Sequence, residues 1–117
     1  DMGGAAKRLL DAATSLPHLV GGTDHADTRI MAAFNGRVMQ KYGADGVQCG
    51  AIRDKGWGYA LKCDDGNVLA AHAMVAGMLL KFAEPDADQR AVLETIAHQS
   101  IRSVRGDVVG EMRSVGF

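Results

Sequence analysis

The sequence predicts an α/β chain of the α+β type, in which a three-stranded antiparallel sheet is flanked by helices. Three observations carry this expectation. Between positions 37 and 63 apolar residues recur at nearly every second position in three short runs, separated by glycine-containing turns. On both sides of that region they recur at helical spacing instead. The 117 residues are enough for one modest core, which leaves room for a single domain.

Taken in order, Ala5, Ala6, Leu9, Leu10, Ala13 and Leu16 mark a first helix over 3–16. Pro17 stops it, because proline lacks an N–H and restricts the residue before it. Gly21 and Gly22 make a turn, and Thr23, Asp24 or Asp27 is placed to cap a second helix through Phe34, which Asn35 and Gly36 end. RVMQK (37–41), GVQCGAI (46–52) and WGYALKC (57–63) read as an antiparallel meander. A three-residue loop, Asp54–Lys55–Gly56 with Gly56 left-handed, would set Arg53 opposite Trp57, Cys49 opposite Leu61 and Val47 opposite Cys63. The cysteines would then be diagonal neighbours about 7–8 Å apart, too far for a disulfide, so both are expected to be reduced. Asp64, Asp65, Gly66 and Asn67 turn the chain into a helix through Phe82, with an apolar face of Val68, Ala71, Val75, Met78, Leu79 and Phe82. A last helix is expected over 87–101, and VRGDVVGEMRSV suggests a terminal strand or extended tail.

Composition narrows the function. A net charge of -1, with Lys and Arg spread along the chain, offers no footprint for a phosphate backbone, so nucleic acid is not an expected partner. No apolar run approaches the ~20 residues of a membrane helix, and no secretion signal is visible, so a cytoplasmic protein without membrane association is expected. The chain opens on Asp1 within a helical pattern, which reads as a fragment of a longer protein or a single domain over 1–117.

Few residues carry a chemical signal. His18, Asp24, His25 and Asp27 match neither the HExxH pair nor a Cys/His zinc spacing, and capping and turn formation account for the acids, so no metal ligands are assigned. Asp64 and Asp65 point in opposite directions and serve a turn, while His72, on the apolar side of its helix, reads as a partly buried histidine with a hydrogen-bond partner. Ser15, Ser100, Ser103 and Ser114 lie in neither GxSxG nor SxxK, and neither cysteine has a nearby histidine, so covalent catalysis lacks an attacking atom here. Lys41 has a more suggestive setting. It ends a predicted strand, and Gly43 lets a ligand approach the backbone N–H of Ala44, the arrangement by which the K-T-G strand of serine β-lactamases supplies charge beside an oxyanion-binding amide.

Four phrases in order, VGGTDHADTRIM (20–31), GRVMQKYGADGVQCGAI (36–52), GWGYALKCDDG (56–66) and RGDVVGEM (105–112), resemble the C-terminal half of the L-asparaginase II family. The resemblance covers most of residues 18–113. It implies part of a serine β-lactamase and penicillin-binding-protein-like fold, and hydrolysis of L-asparagine or a related small amide to the acid and ammonia by a lysine-activated serine. It implies a catalytic role for Lys41, substrate-binding positions at Gly43 and Ala44, and residues that shape or brace the site at Thr23, Asp27 and Thr28. The family's serine, its SxxK lysine and the Cys and Lys ligands of its zinc belong to the other half, so no cofactor is implied within this chain, and the chain alone is expected to be inactive. His25 stands where the family has Arg, Tyr42 where it has a smaller residue, Leu69 where it has Arg and His72 where it has Glu. The rival expectation is a non-enzymatic binding or assembly module derived from that fold. Open strand edges and uncovered apolar surface favour a homo-oligomer or association with the missing half in either case.

Overall fold

The computed structural model describes residues 2–116. In chain order it comprises helices α1 (Met2–Ser15), α2 (Pro17–Gly21) and α3 (Ala26–Phe34), strands β1 (Val38–Gly43), β2 (Val47–Ile52) and β3 (Trp57–Lys62), helices α4 (Val68–Phe82) and α5 (Ala87–Ala97), and strands β4 (His98–Arg102) and β5 (Val108–Arg113). β1, β2 and β3 form an antiparallel sheet in that order, and β4 and β5 form a separate antiparallel hairpin. The α+β class is therefore as the sequence indicates. No helix among the described residues is long and apolar enough to cross a membrane.

Most boundaries follow from local chemistry. Pro17 ends α1 but also starts α2, a short helix that the sequence reading does not include, because proline at the first helical position gives up no hydrogen bond. Asn35, left-handed at φ 44°, closes α3 as expected, but its N-cap is His25, not an acid or Thr23: the imidazole Nδ1 accepts from the Asp27 N–H at 3.2 Å. Asn67 caps α4 by accepting from the Ala70 N–H, while Asp65 accepts from the Asn67 N–H. In α5 Asp86 and Gln89 bond reciprocally as a capping box.

Three expectations need correction. The β2–β3 register is one residue out: Ile52 faces Trp57, Cys49 faces Ala60 and Val47 faces Lys62. Arg53 leaves the ladder because its N–H bonds to the Arg37 carbonyl and its guanidinium to the Gly36 carbonyl and Asp11, so the loop has four residues and Gly56 is its left-handed member. The shift puts Cys63 out of phase with Cys49 across the sheet, and both thiols are free. The last helix stops at Ala97, since His98–Arg102 pairs with Val108–Arg113. Finally, α4 buries Ala71, Val75, Ala76 and Leu79, whereas Val68 and Phe82 at its ends are exposed.

The core lies between one face of the three-stranded sheet and the helices: Ile30 and Phe34 of α3, Val38, Ile52, Val75, Leu79, Leu93 and Ile96 meet there. Two glutamines enter this face. Gln40 and Gln48 are fully buried and hydrogen-bonded to each other, and the Tyr59 hydroxyl donates to Gln40 Oε1 at 2.6 Å. The ring of Tyr59 crosses over Gly50, which has no side chain to obstruct it. Burial pushes the Tyr59 phenol far above its usual range, so it acts as a neutral donor. On the other face of the sheet an open groove of about 570 Å³ runs between Leu10 of α1 and Met39, Cys49, Ala51, Gly58 and Ala60. The apolar stripe of α1 is uncovered at Leu9, and Leu16 just beyond the helix is exposed as well.

Candidate functional site

The site grows from the last half of β1. Lys41 sits within this strand opposite Cys49, two residues before its end. Alternation places it on the opposite face from Gln40 and Tyr42. Its ammonium folds back, donating to the Tyr42 carbonyl at 2.8 Å and lying 3.7 Å from the centre of the Tyr42 ring. β1 is the edge of its sheet, so the Tyr42 N–H has no strand to pair with; it donates at 2.7 Å to Oδ2 of Asp27. A carboxylate near the start of α3 thus ties that helix to the strand that carries the lysine, and the first turn of a helix favours the negative charge.

Gly43 and Ala44 form the tip of the β1–β2 hairpin, where Ala44 is exposed and Gly43 packs against Val47. The turn itself needs Gly46, whose φ is 72° and where an added Cβ would lie 3.0 Å from Cys63 Cβ and from the Gly66 backbone. That close packing docks the KYGADG turn against the turn preceding α4. Thr28 acts as a brace: its hydroxyl donates to the Gly22 carbonyl at 2.6 Å and reaches the Pro17 carbonyl at 3.3 Å. Thr23 stands apart, exposed in the turn before α3. Of the residues singled out in the sequence, Asp27 and Lys41 are joined through Tyr42 and Thr28 supports the same helix, while Thr23 lies exposed outside this hydrogen-bonded group.

Behind Tyr42 lies a cluster that the sequence does not reveal. The His25 ring packs on Tyr42 with centroids 4.4 Å apart and meets the edge of His72 at 5.0 Å. His25 Nδ1 is 3.8 Å from Asp27 Oδ2. Asp27 is completely buried and His72 is 8 % exposed, yet Asp27 Oδ1 and His72 Nε2 have no hydrogen-bond partner among the described residues. The partner expected for His72 is therefore missing at this nitrogen. Burial lowers the His72 pKa, the neighbouring His25 lowers it further, and Asp27 pulls the other way. A cavity of about 200 Å³, bordered by Asp24, Arg29, Ile96 and Gln99, opens onto both imidazoles. No local spacing could have found this group, because His72 arrives from α4; the one available signal was a histidine on an otherwise apolar helical face.

The zinc implied by the resemblance requires cysteine and lysine ligands, and these residues do not supply them. Cys49 is exposed on the outer side of the sheet, whereas Cys63 lies by the turn before α4, its thiol bonded to Asp65. No curated protein sequence matches the chain. The model of the L-asparaginase II family matches residues 2–114, nearly the whole length, and the chain belongs to the L-asparaginase II family.

Proposed function

We propose that this chain is the C-terminal part of a β-lactamase-like L-asparaginase, which hydrolyses the side-chain amide of L-asparagine to L-aspartate and ammonia. The single observation that carries the reading is the family match over 2–114, within which Lys41 stands on an edge strand next to a glycine-containing turn. In this reading the Lys41 ammonium provides positive charge, and a route for the proton, beside a serine that attacks the amide carbon. Gly43 and Ala44 border the substrate at the hairpin tip. Asp27, through the Tyr42 N–H, and Thr28, through α2, hold the strand and helix that aim the lysine. The family's zinc, with its Cys and Lys ligands, lies outside this chain, and Cys49 and Cys63 take no part.

No serine of this chain stands in a Ser-x-x-Lys or Gly-x-Ser-x-Gly setting, and two of the four are held in local structure. Ser103 Oγ accepts from the Asp107 N–H in the β4–β5 turn, and Ser15 Oγ donates to the Ala12 carbonyl in α1, so both are engaged in local structure. The purified 117-residue chain is therefore expected to release no ammonia from L-asparagine above a buffer control. Ammonia release that Lys41→Ala abolishes would show that the chain carries its own nucleophile, and would overturn that part of the proposal.

A further inference from the structure

We infer that His25, Asp27 and His72 form a binding site for one divalent cation of the zinc class, held by two imidazoles and one carboxylate. One candidate ligand atom from each residue lies within 4.8 Å of the other two, and among the described residues this is the one such group of His, Cys, Asp and Glu. The inference is independent of the amidase reading, since none of the three is needed as an acid, base or nucleophile.

Two features beyond proximity point to a ligand. Asp27 Oδ1 and His72 Nε2, buried atoms of two of these three residues, have no hydrogen-bond partner among the described residues. Buried polar atoms are nearly always satisfied, and buried carboxylates are paired or bound to metal. Asp27 has no Lys or Arg within ion-pair reach among the described residues; within 4 Å its one ionisable neighbour is the His25 ring, with His72 beyond it. A divalent ion held by these residues would give the buried carboxylate the positive partner it lacks.

The donor set selects the ion. Two nitrogens and one carboxylate suit zinc and its late first-row neighbours, whereas magnesium and calcium take oxygen ligands. Tetrahedral ligation at about 2.0–2.1 Å sets ligand separations near 3.4 Å, so binding draws the three side chains inward by roughly 1 Å. Three protein ligands leave a fourth position, and the cavity beside both imidazoles gives solvent access to it. His25 must change its present bond. If it ligates through Nδ1, that lone pair is no longer free for the Asp27 N–H; if it ligates through Nε2, the neutral ring carries its proton on Nδ1. Either way the N-cap of α3 is released.

The test strips the chain with a chelator and titrates it with Zn²⁺ against a chromogenic competitor, following Asp27 and Tyr42 amide resonances in parallel. One equivalent should bind, both resonances should shift, and thermal stability should rise. His25→Asn, which keeps a good cap, and His72→Gln should each weaken binding by more than about 10-fold. His18→Gln, His98→Gln, Cys49→Ser and Cys63→Ser should leave it unchanged. The absence of stoichiometric binding, undiminished binding in both His25→Asn and His72→Gln, or loss in the control variants would overturn the assignment. Should the His25 and His72 variants fail to fold, Asp27 and Tyr42 resonances of the wild-type chain that do not move on saturation would overturn it equally.

Discussion

Replacing Gly50 by alanine tests how the sheet beneath Lys41 is assembled. Gly50 faces Gln40 on one side and Tyr59 on the other. A Cβ there would fall well inside contact distance of the Met39 carbonyl and the Tyr59 hydroxyl, and 2.5 Å from Tyr59 Cζ. The carbonyl is backbone in the neighbouring strand and cannot swing aside, so the strand must shift or the tyrosine must leave. Overpacking of this kind costs about 1–3 kcal/mol. Moving Tyr59 also leaves Gln40 Oε1 a buried acceptor short of its donor, at about 1–3 kcal/mol. Gly50→Ala should therefore destabilise the chain by about 3 kcal/mol or more, read as the shift of the urea midpoint at constant slope. Tyr59→Phe, which loses only the hydroxyl, should cost about 1–2 kcal/mol. A Gly50→Ala chain within about 0.5 kcal/mol of wild type, the range of an ordinary surface change, would refute the crossing of Tyr59 over Gly50.

Other expectations concern the elements around the site. Thr28→Val removes the donor to the Gly22 carbonyl and should lower stability by about 1 kcal/mol in thermal denaturation; an unchanged midpoint would show that α2 is held otherwise. Hydrogen bonds first from Lys7 and then from Arg53 hold the Asp11 carboxyl below its ordinary value of 3.8. Its folded pKa is depressed, so its contribution is present above that value and is lost as pH falls through the lower folded one. Asp11→Asn should accordingly be less stable than wild type at neutral pH, and the two melting curves should converge under strongly acidic conditions. Lys41→Ala gives up an exposed hydrogen bond and a cation–ring contact, and should cost less than about 1 kcal/mol by urea denaturation, so that any catalytic loss it causes is not a folding defect.

Where a residue's own chemistry decides its conformation, the fold was legible. The two-residue period of 38–62, the left-handed Asn35 and Gly56, and the Asn67 cap all follow from local preferences. What failed depended on remote partners. The β2–β3 register turned on Arg53, which is captured by Arg37, Gly36 and Asp11 from other elements. His98–Arg102 reads as a continued helix until its partner strand, beyond the Gly106 turn, is taken into account. The same division holds at the site. Asp27 and Thr28 could be singled out from sequence, but the bond from Tyr42 to Asp27 and the meeting of His25 with His72 exist only once α3, β1 and α4 have packed.

The central claim is that Lys41 is the catalytic contribution of this chain to an asparaginase. It is tested most directly by L-asparagine turnover in a polypeptide that joins this chain to the family's Ser-x-x-Lys segment, comparing wild type with Lys41→Ala. Loss of one general acid–base or charge-stabilising group predicts a fall in kcat of about 100-fold or more, with the urea midpoint nearly unchanged. Turnover within a few-fold of wild type in the folded Lys41→Ala protein would contradict the account.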